Sequence, residues 1–181
     1  FHEAGADLIA LLSFLHFESG MDRLLRHCMG NLLVLNELNR IAELAGDRQI
    51  RLASNARRVS EVTEEIHDRS RPFTGAVFDV MVEDFHTRLV AQGFADQRLL
   101  ELPIREASGD LLSRVSDLTA SAFRARPFLF KSALAGARDA VSLAFARAWP
   151  ALDANDITFG RAASAIMAAA DEPLAKRFEE S

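Results

Sequence analysis

Helical periodicity runs through almost the whole chain, and this feature constrains the fold more than any other. Apolar residues recur three and four positions apart in most segments, whereas glycine and proline are sparse and fall at the breaks between segments. With 49% hydrophobic residues, the 181-residue chain has enough apolar side chains for a sizeable buried core. We therefore expect an all-α protein in which residues 1–181 form a single, compact multi-helix domain.

Apolar stripes and the turn residues between them predict where the helices begin and end. The expected helices cover about residues 1–17, 21–45, 72–93, 109–126 and 128–149, followed by a last alanine-rich helix that begins behind the Asp153–Asp156 cap cluster and stops near Pro173. Pro72 is expected to open the third helix, because proline is tolerated in a first turn. Residues 47–71 are expected to form a loop or a short exposed helix, and residues 94–108 a connector.

Charge and apolar run length exclude two classes of function. The chain has 21 basic and 26 acidic side chains and a formal net charge of −5, which disfavours a surface that binds nucleic acid. No apolar run reaches the roughly 20 residues needed to cross a bilayer, so no membrane span is expected. The one cysteine, Cys28, excludes an intrachain disulfide and is expected to be a small buried hydrophobic residue. His86 is expected on the solvent-facing side of its helix.

The start of the sequence is unusual for a whole protein. It begins at Phe1 without a methionine, directly inside an amphipathic pattern, and no signal peptide or capping residue precedes that pattern. We interpret the chain as a piece of a longer polypeptide.

Two acids in the first predicted helix have the most informative spacing. Glu3 and Asp7 lie four residues apart, so both carboxylates project from one face of the helix, next to an apolar stripe. Carboxylates beside a buried surface are costly unless a positive or hydrogen-bonding group meets them, and a metal ion with histidine ligands would do so. The alternative is a solvated N-terminal turn in which the acids only favour the helix dipole. His2 and Glu3 do not begin an HExxH zinc motif, because Ala6 stands where its second histidine is required.

The opening stretch FHEAGADLIALLSF resembles the second conserved helix of thermolysin-like gluzincin zinc metallopeptidases, whose pattern is N/H-E-A-x-x-D followed by an apolar run. Three further stretches are similar to segments of that family in the same chain order: residues 50–55 to its L-R-S-x-x-[DN] segment, residues 70–78 to its S/T-G helix start, and residues 139–170 to its last two helices. The resemblance implies the fold of the C-terminal helical domain of these enzymes.

The resemblance also implies roles for the two acids. In that family the glutamate of this helix is the third zinc ligand, and the aspartate one turn later orients a histidine of the HExxH helix. Carried over by position, Glu3 would bind Zn²⁺ and Asp7 would be the orienting acceptor. The two histidine ligands and the general base would come from an upstream catalytic subdomain of the same polypeptide. The 181 residues alone are therefore expected to be inactive.

A stabiliser of the transition state is implied as well, with two candidates. The family places a histidine four residues before the glycine of its S/T-G helix start, and Arg71 occupies that position before Gly75. Either His67 takes the role, paired with Asp68 or another acid, or Arg71 supplies the positive charge for a developing oxyanion. We prefer His67, because an imidazole beside acids can be protonated near neutral pH.

Two arginines are predicted to contact a peptide or protein substrate. Arg51 lies in the stretch that resembles a substrate-side segment of the family. Arg69 belongs to a basic region with the Arg57-Arg58 pair, which could bind a peptide carbonyl or C-terminus if it lines a cleft. The competing hypothesis is a non-catalytic helical interaction or scaffolding module, or a peptidase-like domain that no longer cleaves, and Arg71 at the expected histidine position favours it.

Overall fold

The computed structural model describes residues 1–38, 44–45, 48–49, 53, 55, 57–106, 108–153 and 155–180. The regular secondary structure of these residues is helical apart from one two-residue antiparallel pair, and this confirms the all-α expectation. The helices are α1 (His2–Phe14), α2 (Glu18–Cys28), α3 (Ile66–Ala91), α4 (Gly109–Ala125), α5 (Pro127–Ala148), α6 (Phe159–Ala169) and α7 (Glu172–Glu180). The strands are β1 (Leu44–Ala45) and β2 (Arg48–Gln49), and short 3-10 turns cover Val59–Glu61, Gln97–Glu101, Ile104–Glu106 and Trp149–Ala151.

Helices α3 and α5 form the centre of the fold. α3 packs against α5, α1 and α7, while α5 also contacts α2, α4 and α6. Because neighbours cover α3 on several sides, both its apolar and many of its polar residues are buried. The ring of Phe130 on α5 meets Phe85 and Phe123 edge to face, with ring centroids 6.0 and 5.5 Å apart. One continuous apolar core results.

The predicted second helix is wrong in its length. α2 ends at Cys28 because Met29 and Gly30 have φ angles of 51° and 83°, in the left-handed region that an α-helix cannot accommodate. Beyond this break, Asn31 and Asn36 side chains organise turns, accepting hydrogen bonds from the Leu33 N–H at 3.1 Å and the Leu38 N–H at 2.8 Å. Cys28 is buried as expected, and its burial raises the pKa of the thiol to about 11.

Helix α3 begins earlier than the sequence predicts. Its first residue is Ile66 and not Pro72, because the Glu65 carboxylate accepts a hydrogen bond from the Asp68 N–H at 2.8 Å and caps the helix there. The helix ends at Ala91, close to the predicted end, and Gly93 follows with a φ of 73°.

The C-terminal region contains two helices where the sequence predicts one. α6 ends at Ala169, and a separate α7 follows, in which Pro173 lies in the first turn instead of ending a helix. The Asp171 side chain accepts a hydrogen bond from the Leu174 N–H at 3.0 Å, which fixes this second start. α4, α5 and the connector between α3 and α4 agree with the prediction.

Helix α7 covers a charged side of α3. The Arg177 guanidinium donates to the Thr87 hydroxyl at 3.0 Å, and Arg105 donates to the Glu83 carboxylate at 2.9 Å. His86, also on α3, is only 1% exposed. Its predicted solvent-facing position is therefore wrong, since α3 is enclosed and not amphipathic along this stretch. In the described part of the chain, no helix is long and apolar enough to cross a bilayer.

Candidate functional site

The first turns of α1 and α3 bring two of the predicted site residues together. The Glu3 Oε2 lies 3.2 Å from the His67 Nδ1, and the two side chains are 36% and 30% exposed. The atoms are close enough for an ion pair, although the His67 Nδ1 is buried and makes no hydrogen bond of acceptable geometry. Two acids therefore lie near His67: Glu3 at its Nδ1 and, more loosely, Glu65, whose Oε1 lies 3.9 Å from the His67 Nε2. The neighbouring Asp68 instead accepts a hydrogen bond from the loop before α3.

Asp68 holds that loop against the start of α3. Its Oδ2 accepts a hydrogen bond from the Thr63 N–H at 2.8 Å, and this bond, helped by Arg71 and Arg57, keeps the pKa of Asp68 below its usual value. Asp68 therefore remains ionised and is available to Arg71, whose Nη1 lies 3.4 Å from the Asp68 Oδ1. Arg71 is mostly buried, and its Nε has no hydrogen-bond partner.

Asp7 lies one turn after Glu3 on α1 and is buried. A carboxylate so enclosed is consistent with an orienting acceptor, because its interactions are fixed by the surrounding structure. Glu3 is more accessible than Asp7, as a group that must reach an ion or substrate would need to be.

Two of the stretches that carry the family resemblance contact each other. The Asn55 Nδ2 donates to the Arg71 carbonyl at 3.1 Å, and Asn55 also lies directly against Gly75 of α3. A Cβ atom at Gly75 would lie only 2.8 Å from the Asn55 Nδ2 and 3.0 Å from its carbonyl oxygen. The glycine thus permits the segment that precedes α3 to lie close to the helix start. Most of residues 50–54, including the predicted substrate ligand Arg51, lies outside the described residues.

Replacing Gly75 with alanine is expected to lower the free energy of unfolding by about 1–2 kcal/mol, because overpacking against backbone cannot be relieved by a side-chain rotation. Urea denaturation followed by circular dichroism measures this loss. Gly109→Ala is the matched control, since nothing lies within 4 Å of a Cβ added there. Equal stabilities of the two variants would show that the Asn55 contact does not constrain position 75.

Arg69 lies away from the pair formed by Glu3 and His67. Successive residues of an α-helix are rotated by about 100°, so side chains two positions apart leave α3 on roughly opposite sides. Arg69 lines a cavity on that other side together with Pro72 and Ala76. It is exposed and loosely paired with Glu64, whose Oε2 lies 3.7 Å from the Arg69 Nη1. The structure therefore does not bring Arg69 to the predicted metal ligand.

The structure also contains an aromatic cluster that was not predicted from the sequence. Phe73 of α3 packs on Phe1 and on Phe159 of α6, with ring centroids 5.5 and 5.6 Å apart, and the Phe1 ring lies 6.3 Å from that of Trp149. Phe73 and Phe159 also form part of the cavity wall. Their apolar character was visible in the sequence, but helical periodicity alone assigns such residues to the core.

The described residues fit a zinc site only as part of a donor set. Within the part of the chain that the structure describes, no group of three or more His, Cys, Asp or Glu side chains could hold a metal ion. Glu3 offers a carboxylate oxygen, which Zn²⁺ accepts as a ligand. Two or more further donors are required for a tetrahedral site.

Comparison with known proteins adds no family assignment to this geometry. No protein-family model matches the chain, and no curated protein or solved structure matches it either.

Proposed function

We propose that this chain is the C-terminal helical half of a zinc-dependent metallopeptidase, in which it supplies the third zinc ligand and a group that stabilises the transition state of peptide-bond hydrolysis. The observation that supports this function most directly is the 3.2 Å separation of the Glu3 Oε2 and the His67 Nδ1. Both residues have roles implied by the resemblance to thermolysin-like enzymes, and both lie in the first turns of helices that contact each other.

Each residue has a defined task in this proposal. When bound, zinc would supply Lewis-acid polarisation of the scissile carbonyl and an activated water. Glu3 would hold the ion together with two histidines from an upstream HExxH helix, and the buried Asp7 would orient one of those histidines. His67, whose Nδ1 lies 3.2 Å from the Glu3 Oε2, would donate a hydrogen bond from an imidazole N–H to the developing oxyanion. Arg71 is the weaker candidate for that donor, because its guanidinium is directed to Asp68.

Glu3→Gln in the full-length polypeptide tests the ligand role. The zinc content of the purified protein is expected to fall from about one ion per chain to less than about one tenth, because the amide is a much poorer zinc ligand than the carboxylate. Metal content by inductively coupled plasma mass spectrometry is the measurement. Glu172→Gln is the matched control: Glu172 is another exposed acid in the first turn of a helix, α7. Full zinc content in Glu3→Gln would contradict the proposal.

A non-catalytic helical interaction module is the second candidate function. One observation favours it: Arg71 stands where the family has a histidine. The two functions differ in the wild-type protein, because a module would contain no stoichiometric zinc in the full-length polypeptide and would cleave no peptide. Zinc retention by wild type and its loss in Glu3→Gln would exclude the module.

A further inference from the structure

A cavity of about 640 Å³ lies between the loop before α3, the first half of α3 and the start of α6. We infer that it binds a small organic anion with an apolar body, such as an aliphatic or aromatic monocarboxylate. This volume lies within the range of roughly 300–1,000 Å³ that is usual for small-molecule sites. The inference does not depend on the proposed peptidase function.

The charge of the lining is the first argument. Arg57, Arg58 and Arg69 lie at the cavity with a single acid, Glu64, although the chain as a whole has a net charge of −5. Glu64 is fully exposed and its contact with the Arg69 Nη1 measures 3.7 Å, so this ion pair is weak and leaves Arg69 able to bind another anion. Arginine is the side chain best suited to carboxylate recognition, because its planar fork offers two parallel donors.

The apolar lining is the second argument. Most of the remaining wall consists of hydrophobic side chains and one glycine: Val59, Val62, Pro72, Phe73, Ala76, Phe159, Gly160 and Ala163. Val59, one of these side chains, is 77% exposed. An aliphatic chain or aromatic ring inside the cavity would remove this surface from water. A fully hydrophilic anion such as phosphate would leave this apolar surface in contact with water.

The cavity walls are fixed by contacts that do not involve a ligand. The hydrogen bond from the Thr63 N–H to Asp68 ties the loop to α3, and the stacking of Phe73 on Phe159 ties α3 to α6. The first residues of α6, Phe159 and Gly160, face the cavity, so the positive end of the helix dipole adds to the field of the arginines. A site built in this way needs little reorganisation on binding.

Titration of the protein with octanoate and with 1-octanol by isothermal calorimetry tests the inference. The two probes have the same number of carbon atoms and differ in the head group, which is an anionic carboxylate in one and a neutral hydroxyl in the other. We expect saturable 1:1 binding of octanoate, with an affinity at least tenfold higher than that of octanol and falling as salt is added. Equal affinities for both probes, or the absence of saturable octanoate binding up to millimolar concentration, would overturn the inference.

Variants assign the binding to this cavity. The double variant Arg57→Gln and Arg58→Gln is expected to weaken octanoate binding at least tenfold and octanol binding less than twofold. Ala163→Phe fills the cavity from α6 and is expected to weaken both probes at least tenfold. Arg114→Gln, at an exposed arginine of α4 outside the lining, is the control and should bind octanoate like wild type. Unchanged octanoate binding in Ala163→Phe would show that octanoate binds outside this cavity and would contradict the assignment.

Zinc content should stay at the wild-type level in all of these variants. The outcome of the octanoate experiment is therefore independent of the outcome of the Glu3→Gln experiment.

Discussion

Replacing Gly30 with alanine is expected to lower the free energy of unfolding by about 3 kcal/mol, from two additive causes. Gly30 has a φ of 83°, which costs an L-residue about 1–2 kcal/mol. In addition, an alanine Cβ would lie 2.6 Å and 2.8 Å from two carbons of the Phe130 ring. That ring is completely buried between Phe85 and Phe123, so it cannot move aside without disturbing the core.

Gly93→Ala separates the two causes. Gly93 has a similar φ of 73°, but nothing lies within 4 Å of a Cβ added there. This variant should therefore lose only the conformational part, about 1–2 kcal/mol. Chemical denaturation of both variants measures the difference, which reports the clash with Phe130. If both variants lose the same stability, the Phe130 ring does not restrict position 30.

Gly30 also explains why the sequence predicted the second helix poorly. Leu32, Leu35 and Leu38 continue the helical spacing beyond the true end at Cys28, and periodicity alone cannot detect that Met29 and Gly30 are left-handed. Their burial reveals the error, because Leu35 is 53% exposed whereas the other two are buried. A glycine inside an apolar stripe was the one available signal.

Helices with strong local signals were predicted well. The Ser108 hydroxyl accepts a hydrogen bond from the Leu111 N–H at 3.2 Å, and Pro127 opens α5, so α4 and α5 begin close to the expected residues. The same chemistry at Asp171 and Pro173 was read as a helix end, and α7 was missed. A proline near a boundary is compatible with the end of one helix and with the start of the next.

The candidate site depends on information that local patterns do not contain. Spacing places Glu3 and Asp7 on one helix face, but their contrast in burial follows from how α1 packs on α3. The contact of Glu3 with His67 joins residues distant in sequence, and only the resemblance suggested that both belong to one site. The cavity beside Arg69 was not predicted, because its lining comes from three separate segments.

Asp79 and His86 are expected to give the stability of the protein two opposing pH dependences. Both lie buried on α3. Burial, with a smaller contribution from Glu83 that exceeds the attraction of Arg105, raises the pKa of Asp79 to about 7. Burial lowers the pKa of His86 to about 4. Both shifts disfavour the charged form in the folded state.

The signs follow from proton binding in the two states. Between about pH 4 and 7 the folded state retains a proton on Asp79 that the unfolded state has lost, so this group lowers stability as the pH rises. Between about pH 6.5 and 4 the unfolded state binds a proton on His86 that the folded state does not bind. This group therefore lowers stability as the pH falls. The contribution of Asp79 is on the order of 4 kcal/mol over its window and that of His86 on the order of 3 kcal/mol, and their opposite slopes largely cancel between about pH 4 and 6.5.

Single variants should expose each contribution in turn. The difference in unfolding free energy between Asp79→Asn and wild type is expected to rise by on the order of 4 kcal/mol from pH 4 to pH 8, with the variant favoured at high pH. For His86→Met the difference should change in the other direction, favouring the variant increasingly as the pH falls from 6.5 to 4. Groups common to both proteins cancel in these differences, and a constant packing loss shifts a curve without changing its slope. Urea denaturation at five or six pH values measures both curves, and a flat curve for either variant would show that its residue is not held uncharged by burial.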